Sequence, residues 1–287
     1  MQKHIFIFGL GYVGYHLAAE LFRRGWQITG TTRQPEKLAG HVPDNWTIFP
    51  FESGAASSEL DVHLTKATHL LSTVAALSGR DPVIEAYGKQ IKNFSGWTGY
   101  LSATSVYAGQ GKGWIDEGTE PAPKTARGKS RLVAEQQWQD YANAELFRLA
   151  GIYGPYRNPF AELLAGTAQI IDKPGQVFNR IHQTDISRIV IAALDKPRPG
   201  RVINLADGQP ASQADVLRYA ADLLGIDPPQ SIPFETANLS PMARSFYNSC
   251  RKIRSKIIGP ELGLELVYPG YKRGLEAIYS EQSFRSG

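Results

Sequence analysis

Residues 4–14 read HIFIFGLGYVG, a short apolar run followed by a turn that contains three glycines. At this spacing Gly9 lets a strand turn tightly, Gly11 lets bare backbone approach a pyrophosphate, and Gly14 lets the next helix pack closely on the sheet. The free N–H groups and the dipole at the start of that helix favour phosphate. The stretch therefore predicts a dinucleotide site at the end of the first strand.

Short β-rich runs alternate with amphipathic runs along the first half of the chain, which is typical of βαβ units in a parallel sheet covered on both faces. The predicted strands are His4–Phe8, Gln27–Thr31, Thr47–Phe51, His69–Thr73, Gly99–Ser102, Glu145–Leu149 and Val202–Leu205. The first predicted helix has Val13, Leu17, Ala18 and Leu21 on one face and ends at Gly25. Later helices are predicted at Pro82–Phe94, Lys129–Tyr141, Thr184–Leu194 and Ser212–Leu224. We expect an α/β fold, a Rossmann-type doubly wound parallel sheet with a smaller C-terminal α/β lobe.

The composition excludes several classes of protein. Apolar residues make up 42% of the chain and charged residues 20%, the balance of a globular and not of a disordered protein. The net charge of +4 is small and scattered, which argues against nucleic acid but suits an anionic ligand. Cys250 is the only cysteine, so no intramolecular disulfide can form. Because no segment has the pattern of a membrane span or a signal peptide, we expect a cytoplasmic protein.

The end of the second predicted strand indicates which dinucleotide binds. NAD-preferring folds commonly place an acidic residue there, which holds the ribose 2′-hydroxyl. This chain has Thr31, Thr32 and Arg33 at that point, and no acidic residue before Glu36. A guanidinium can pair bidentately with a 2′-phosphate, and the two hydroxyls suit the same group. We therefore predict NADP(H), with NAD as the alternative.

Proline and glycine become frequent past about Pro155, where short helical patches replace the regular alternation. Such a change predicts loops and a second structural unit. We assign residues 1–155 and 183–206 to an NADP-binding Rossmann domain, and residues 156–182 and 207–287 to a smaller substrate-type lobe.

Several segments after the glycine turn occur in an order that resembles the extended short-chain dehydrogenase/reductases, the superfamily of NAD(P)-dependent nucleotide-sugar epimerases and dehydratases. They are Leu101-Ser102-Ala103-Thr104-Ser105-Val106-Tyr107, Asp116-Glu117, Arg127-Gly128-Lys129-Ser130-Arg131 with Glu135, Arg148, Ile152-Tyr153-Gly154-Pro155, and Arg180-Ile181-His182 with Asp185. The resemblance implies the superfamily's fold and a homodimer through the helices at 82–94 and 128–142. With it, the predicted cofactor-binding residues are Gly9, Gly11, Tyr12, Val13, Gly14, Thr31, Thr32, Arg33, Thr73, Ser102, Arg131 and Ile152.

Three positions depart from the catalytic pattern that the resemblance implies. The superfamily uses a Tyr that gives or takes a proton, a Lys four residues later, and an upstream Ser or Thr. The matching positions here hold Arg127, Arg131 and Ala103. A guanidinium stays protonated, so neither arginine can replace the Tyr as proton donor. In this respect the chain resembles the atypical branches that lack the active-site residues, and the candidates for a substitute role are Thr104, Tyr107 and Tyr153.

Arginines near the expected cleft predict an anionic ligand. Arg127 and Arg131 lie one turn apart on one predicted helix, and Arg148, Arg157 and Arg180 are expected to add positive charge to the cleft. For the helix at 184–194, we expect Asp185 to cap its start and His182 to hydrogen-bond across the lobe junction. The histidines show no metal-ligand spacing, so no metal site is predicted.

Two functions fit these features. The favoured one is an altered oxidoreductase or epimerase that uses NADP(H) and a small anionic or sugar-derived substrate. The alternative is a non-enzymatic NADP(H)-binding sensor or partner-binding module, because the Tyr, the Lys and the Ser or Thr are all replaced. Both hypotheses include the binding of NADP(H).

Overall fold

The computed structural model describes residues 2–52, 56–76, 79–107, 113–247 and 249–281. The strands of this part are β1 (His4–Phe8), β2 (Gln27–Thr32), β3 (Thr47–Pro50), β4 (His69–Ser72), β5 (Trp97–Ala103), β6 (Trp114–Ile115), β7 (Glu145–Leu149), β8 (Gly151–Tyr153), β9 (Ile170–Asp172), β10 (Arg180–His182), β11 (Val202–Leu205), β12 (Ser231–Pro233) and β13 (Lys252–Ile253). The helices are α1 (Tyr12–Arg23), α2 (Ser58–Lys66), α3 (Pro82–Lys92), α4 (Ala126–Ala142), α5 (Phe160–Leu164), α6 (Gln183–Asp195), α7 (Gln213–Leu224), α8 (Pro241–Tyr247) and α9 (Tyr271–Glu281). No helix among these residues has the length and apolar character that a membrane crossing requires.

A parallel sheet of seven strands forms the centre of the molecule, in the order β11-β7-β5-β4-β1-β2-β3. Every neighbouring pair in it is parallel. The strand order reverses beside β1, because the chain first winds outward to β3 and then returns to place β4 on the other side. In open sheets of this type, ligands bind at the carboxyl ends of the strands at that reversal. The predicted Rossmann-type doubly wound sheet is confirmed.

Side chains of β1 alternate between the two faces of the sheet, and so they enter two different cores. Ile5 and Ile7 join the apolar cluster that includes residues of α1 and α6. Phe6 and Phe8 join the cluster formed with α2, α3 and α4. Helices cover both faces of the sheet, so a ligand can reach β1 only at the ends of the strand. The glycine turn begins at its carboxyl end, directly after Phe8.

Many apolar residues of the predicted smaller lobe pack in two clusters. Phe160, Leu217 and Leu275 bring α5, α7 and α9 together. A smaller cluster contains Ile171, Ala237 and Tyr247. The parallel pair of β9 and β12 also lies in this part of the chain. Tyr153 also belongs to the first of these clusters, whereas Ile253, Ile258 and Leu262 belong to the cluster of α1 and α6. The division at residues 155, 182 and 206 therefore stays a prediction.

All seven predicted strands are present in the central sheet, and the predicted long helices are present with shifted ends. For example, α4 begins at Ala126, three residues before the predicted start, because the Thr125 hydroxyl accepts a hydrogen bond from the Gly128 N–H and caps the helix. We did not predict α2. It is mostly polar and buries only Leu60 and Leu64, so its sequence carries little helical periodicity.

Candidate functional site

The three glycines of the turn after β1 have three different surroundings. Gly9 has a φ of +94°, and a Cβ there would lie 2.5 Å from the Thr73 hydroxyl oxygen. A Cβ on Gly14 would lie 2.2 Å from the Gly9 carbonyl oxygen, whereas a Cβ on Gly11 would meet nothing within 4 Å. Gly9 and Gly14 therefore make the turn tight and hold the helix close to it, and Gly11 faces open space. This is the arrangement that a pyrophosphate needs.

The start of α1 lies at the same point. Gly11 is the residue before the first turn of α1, and no side chain caps the helix there. The N–H groups of the first turn are therefore open to a ligand, and the helix dipole favours an anion. The Val13 side chain, by contrast, is buried in the apolar cluster between α1 and the sheet. Only the Val13 backbone can therefore contact the cofactor.

Two buried or half-buried threonines hold the glycine turn in shape. The Thr73 hydroxyl donates to the Gly9 carbonyl oxygen at 2.6 Å. The Thr31 hydroxyl accepts from the Gly9 N–H at 3.1 Å, and its side chain is 1% exposed. Both side chains thus stabilise the turn through hydrogen bonds to the Gly9 backbone. We had expected Thr31 to face a 2′-phosphate, but its burial directs its hydroxyl to the backbone of Gly9.

The end of β2 presents one free cation. Arg33 is exposed and makes no hydrogen bond or ion pair with any residue that the structure describes. Thr32 beside it is half-buried, and its hydroxyl accepts a long hydrogen bond, 3.4 Å, from the Gln34 N–H. Of the three residues predicted to hold a 2′-phosphate, Arg33 and Thr32 remain accessible for that contact.

The loop after β8 lies against the start of α1. Tyr12 donates its hydroxyl hydrogen bond to the Pro155 carbonyl oxygen at 2.8 Å, and burial raises the pKa of this phenol to about 12. The side-chain amide of Gln183, at the start of α6, donates to the Tyr12 carbonyl oxygen at 2.8 Å. Ile152 is half-buried in β8. The predicted cofactor residues Tyr12 and Ile152 therefore lie on adjoining elements.

The two arginines at the catalytic positions do not act as a pair. Arg127 is exposed in the first turn of α4. Arg131 is 8% exposed, and its Nη1 donates to the Tyr100 hydroxyl at 2.7 Å and to the Leu101 carbonyl oxygen at 3.2 Å. The expected two-guanidinium anion site is therefore wrong, because Arg131 turns inward to the sheet. Ala103, at the third position, ends β5 with a half-buried side chain.

Arg148 belongs to a buried polar network and not to a cleft. Its guanidinium pairs with Glu135, with Nη2 2.7 Å from Oε2, and its Nη1 donates to the Tyr107 hydroxyl at 2.8 Å. Ser102 donates to the other Glu135 oxygen at 2.5 Å, and Tyr107 donates to Asn204 at 2.9 Å. All five side chains are buried. The prediction that Arg148 binds a substrate anion is wrong, because Glu135 and Tyr107 occupy its donors.

Neither candidate phenol is available as a proton donor. Tyr107 is 1% exposed, and burial raises the pKa of its phenol. Tyr153 is also buried; its hydroxyl donates to the Gly270 carbonyl oxygen at 3.3 Å, and burial raises its pKa far above the usual value. Thr104 is buried in the short 3-10 helix after β5. A proton-donor role for Tyr107 or Tyr153 conflicts with this burial.

A cavity of about 240 Å³ opens beside Tyr153. Arg157, Arg180, Gln213 and Tyr271 line its polar side. Arg180 is buried, and burial lowers its pKa, while its donors bond to the Phe178 and Ala211 carbonyl oxygens and to Gln213. Of the predicted anion-binding arginines, Arg180 lines this cavity. Arg157, the third arginine expected to add positive charge to the cleft, lines the same cavity.

The roles of His182 and Asp185 are exchanged relative to our prediction. His182 caps α6, since its Nδ1 accepts from the Thr184 N–H at 3.2 Å. Asp185 is fully buried and accepts from the N–H groups of Val267 and Tyr268 at 2.8 and 2.9 Å. The carboxylate thus ties the C-terminal segment to α6. Burial also lowers the pKa of His182 to about 4, so its ring is neutral at physiological pH.

Asp207 is a buried carboxyl group that the sequence does not single out. Asp207 follows β11 and is 6% exposed, and its Oδ2 has no hydrogen-bond partner among the described residues. Its backbone N–H donates to the Arg180 carbonyl oxygen at 2.8 Å. Burial raises the pKa of Asp207 to about 7. Nothing in the local sequence Leu205-Ala206-Asp207-Gly208 distinguishes this residue from an ordinary loop aspartate.

The chain is similar to proteins that span almost its whole length. A functionally unknown conserved protein from Silicibacter pomeroyi DSS is 41% identical, with a TM-score of 0.91, and the match covers 98% of this chain and 99% of that one. Protein YeeZ of Escherichia coli (strain K12) is 29% identical over 93% of this chain and 97% of its own. No family model matches the sequence.

A more distant solved structure shares the fold. The UDP-glucuronic acid 4-epimerase from Bacillus cereus, in complex with NAD, has a TM-score of 0.77 and 17% identity, and the match covers 99% of this chain and 100% of that one. At this identity the likeness concerns the fold alone. The chain therefore belongs to the same family as the functionally unknown conserved protein from Silicibacter pomeroyi DSS, and it has the fold of the NAD-dependent nucleotide-sugar epimerases and dehydratases.

Proposed function

We propose that this chain is an NADP(H)-binding oxidoreductase or epimerase that acts on a small anionic substrate without the superfamily's catalytic tyrosine. The observation that carries the proposal is the open space at Gly11 in front of the uncapped start of α1. A pyrophosphate fits there because bare backbone and free N–H groups face it. The NAD in the complex of the Bacillus cereus epimerase supports a dinucleotide in the same fold.

The preference for NADP(H) rests on Arg33. It is exposed, unpaired in the described residues, and lies directly after β2, with the accessible Thr32 beside it. A guanidinium at this point can hold a 2′-phosphate by two charge-assisted hydrogen bonds. NAD offers it only a neutral hydroxyl.

The cofactor preference is tested by titrating the protein with NADPH and with NADH. We expect NADPH to bind more tightly, and Arg33→Ala to weaken NADPH binding by about 10- to 150-fold, since hydrogen bonds to charged groups contribute about 1.5–3 kcal/mol. NADH binding should not change. Arg24→Ala is the matched control, because Arg24 is an exposed arginine at the far end of α1. Equal affinity for the two cofactors would contradict the preference.

The substrate is expected to lie between the cofactor edge of the sheet and the cavity at Arg157 and Arg180. A bound nicotinamide supplies or accepts a hydride. Arg127 is an exposed cation near the end of β5 that can hold negative charge on a substrate oxygen, but it cannot release its proton. In a reduction, the proton for that oxygen then comes from water. A sugar acid or a nucleotide-sugar has the anionic group that such a site requires.

A specific observation favours a second function. Tyr107, Tyr153 and Arg131 are all buried and bonded to protein groups, so the site offers little general acid–base chemistry. This arrangement suits a protein that binds NADP(H) without turnover and senses it. The two functions are separated by a screen of sugar acids and nucleotide-sugars, followed through nicotinamide absorbance for net oxidation or reduction and through product analysis for epimerisation, which leaves the cofactor unchanged overall. Oxidation or reduction that disappears in Arg127→Ala supports an enzyme; binding without any turnover supports the sensor.

A further inference from the structure

Pro155 and Tyr156 are the two central residues of a tight turn that directly follows β8. Gly154 and Arg157 close it with two backbone hydrogen bonds of 3.1 and 3.0 Å across an antiparallel bridge. Proline holds its own φ near about −65°, and Tyr156 has a φ of +62°. Turns with this combination need a left-handed residue at the second central position, where Gly or Asn is usual.

Tyr156 is strained in this conformation, because the Cβ of an L-residue comes too close to the backbone in the left-handed region. One other non-glycine residue of the described chain has a positive φ, and it is Asn143, an ordinary left-handed cap that ends α4. Asparagine tolerates that conformation well. Tyrosine does not, so its presence in the turn needs a separate explanation.

The ring of Tyr156 does nothing for the fold that would explain the strain. Its side chain is 94% exposed. It makes no hydrogen bond, ring contact or cation–π contact with any residue that the structure describes. A strained residue that stays in place without stabilising the fold indicates a functional contact.

The position of the turn shows which contact is available. On one side, the Pro155 carbonyl oxygen accepts from the Tyr12 hydroxyl, and the Arg157 guanidinium carbon lies 5.9 Å from the centre of the Tyr12 ring. Tyr12 is the first residue of α1 and follows Gly11 directly. On the other side, Arg157, Asn158 and Pro159 line the cavity. The turn thus joins the start of α1 to the cavity, with the Tyr156 ring free in solvent.

We propose that Tyr156 is a cofactor-binding residue whose ring packs against NADP(H) held at the glycine turn. This inference rests on the proposed function, since it needs a bound dinucleotide. An aromatic ring offers a large flat surface to the sugar and ring systems of a dinucleotide. The turn fixes the backbone that carries the ring before the cofactor arrives, so less backbone freedom is lost on binding.

The inference is tested with three variants of the full chain, using NADPH as the probe in a fluorescence titration. Tyr156→Gly and Tyr156→Asn remove the ring and accept the left-handed conformation, and we expect each to weaken NADPH binding by about tenfold. Tyr156→Phe keeps the ring and should bind within about twofold of the natural chain. All three variants should have a melting temperature equal to or above that of the natural chain, because no contact that stabilises the fold is lost.

Phe246→Ala is the matched control, because Phe246 is another exposed ring, 49% exposed, and it lies on α8. It should leave NADPH binding unchanged. If the natural chain binds NADPH and the Gly and Asn variants bind it equally well, the inference about Tyr156 is wrong while the proposed function stands. If these two variants unfold at a lower temperature, the ring has a folding role and the inference also fails. Absence of NADPH and NADH binding to the natural chain would overturn the proposed function, and this inference with it.

Discussion

Gly11 and Gly14 differ sharply in what an added methyl group would meet. The Cβ of an alanine at position 11 would have open space, and the backbone there, with φ of −81°, suits any residue. At position 14 the same atom would lie 2.2 Å from the Gly9 carbonyl oxygen. Two neighbouring glycines of one motif therefore serve different purposes. Gly11 keeps space for a ligand, and Gly14 is required by the fold itself.

Alanine substitutions separate these purposes. We expect Gly11→Ala to fold with unchanged stability and to bind NADPH at least about tenfold more weakly, because the methyl group keeps the phosphate from the N–H groups. Gly14→Ala should instead lower the free energy of unfolding by about 1–3 kcal/mol, as overpacked sites do. Chemical denaturation and NADPH titration of both variants measure the two effects. A Gly11→Ala variant that binds like the natural chain would show that nothing approaches this backbone.

Asp207 makes stability depend on pH. Burial raises its pKa to about 7 in the folded protein, so the folded state holds a proton that the unfolded state has released above about pH 4. The extra proton bound by the folded state stabilises it. This contribution to the free energy of unfolding is complete below about pH 4 and is lost as the pH rises through about 7. We expect Asp207→Asn to gain stability relative to the natural chain between about pH 5 and pH 8.

Melting temperatures measured across that range test this expectation, with Asp227→Asn, a change at an exposed carboxylate, as the control. The difference between Asp207→Asn and the natural chain should grow more positive with pH. A difference that stays constant over the range would mean that Asp207 releases its proton as readily in the folded state as in the unfolded state.

The buried pair of Glu135 and Arg148 joins helix α4 to strand β7. The two side chains are 2% and 6% exposed, and they also hold Ser102 and Tyr107. Removing one charge leaves the other buried without a partner, which costs about 3–5 kcal/mol. Glu135→Ala and Arg148→Ala should each lower the free energy of unfolding by roughly that amount. The exposed pair of Arg80 and Glu85 is the control, and Arg80→Ala should cost less than about 1 kcal/mol.

A double-mutant cycle identifies the cause. Glu135→Leu combined with Arg148→Met removes both charges, so the double variant should lose less stability than the sum of its two single variants. Strict additivity, measured by urea unfolding, would contradict a coupled buried pair. It would leave loss of packing as the explanation for each single effect.

At the scale of whole elements, the sequence predicts the sheet better than it predicts the side-chain roles. Buried strands such as Glu145–Leu149 and Val202–Leu205 have the predicted bounds, because parallel strands covered on both faces are short apolar runs. Arg148 lies within the first of these strands, and sequence alone cannot tell a buried arginine from one in a cleft. Its partner Glu135 is 13 residues away on α4, so only the packed structure pairs them.

The same limit explains His182 and Asp185. Both lie at the start of a helix, where either side chain can cap it. The N–H donors that Asp185 accepts from belong to Val267 and Tyr268, more than 80 residues later in the chain. The local pattern predicts a capped helix correctly, but which residue caps it depends on where the C-terminal segment passes.

At the scale of the whole molecule, Asp185 fastens the C-terminal segment to the central domain. Its buried carboxylate accepts two backbone hydrogen bonds from that segment, and Tyr268 packs on His182 with ring centres 4.0 Å apart. We expect Asp185→Ala to lower the free energy of unfolding by about 1–3 kcal/mol and to increase protease cleavage around residues 263–270, since both N–H groups lose their acceptor.

Limited proteolysis followed by mass spectrometry locates the cleavage. Asp195→Ala is the control, because Asp195 is an exposed carboxylate at the end of the same helix, pairs with Lys3 and should have a small effect. Cleavage at the natural rate in Asp185→Ala would mean that apolar packing of α9 alone holds the segment in place.

The central claim is that the glycine turn at residues 9–14 holds a dinucleotide, and calorimetric titration of the intact chain with NADPH tests it most directly. The account predicts saturable binding with one NADPH per chain, tighter than for NADH, and a strong loss of affinity in Gly11→Ala. The absence of binding heat for both cofactors, with the protein folded, would contradict the account.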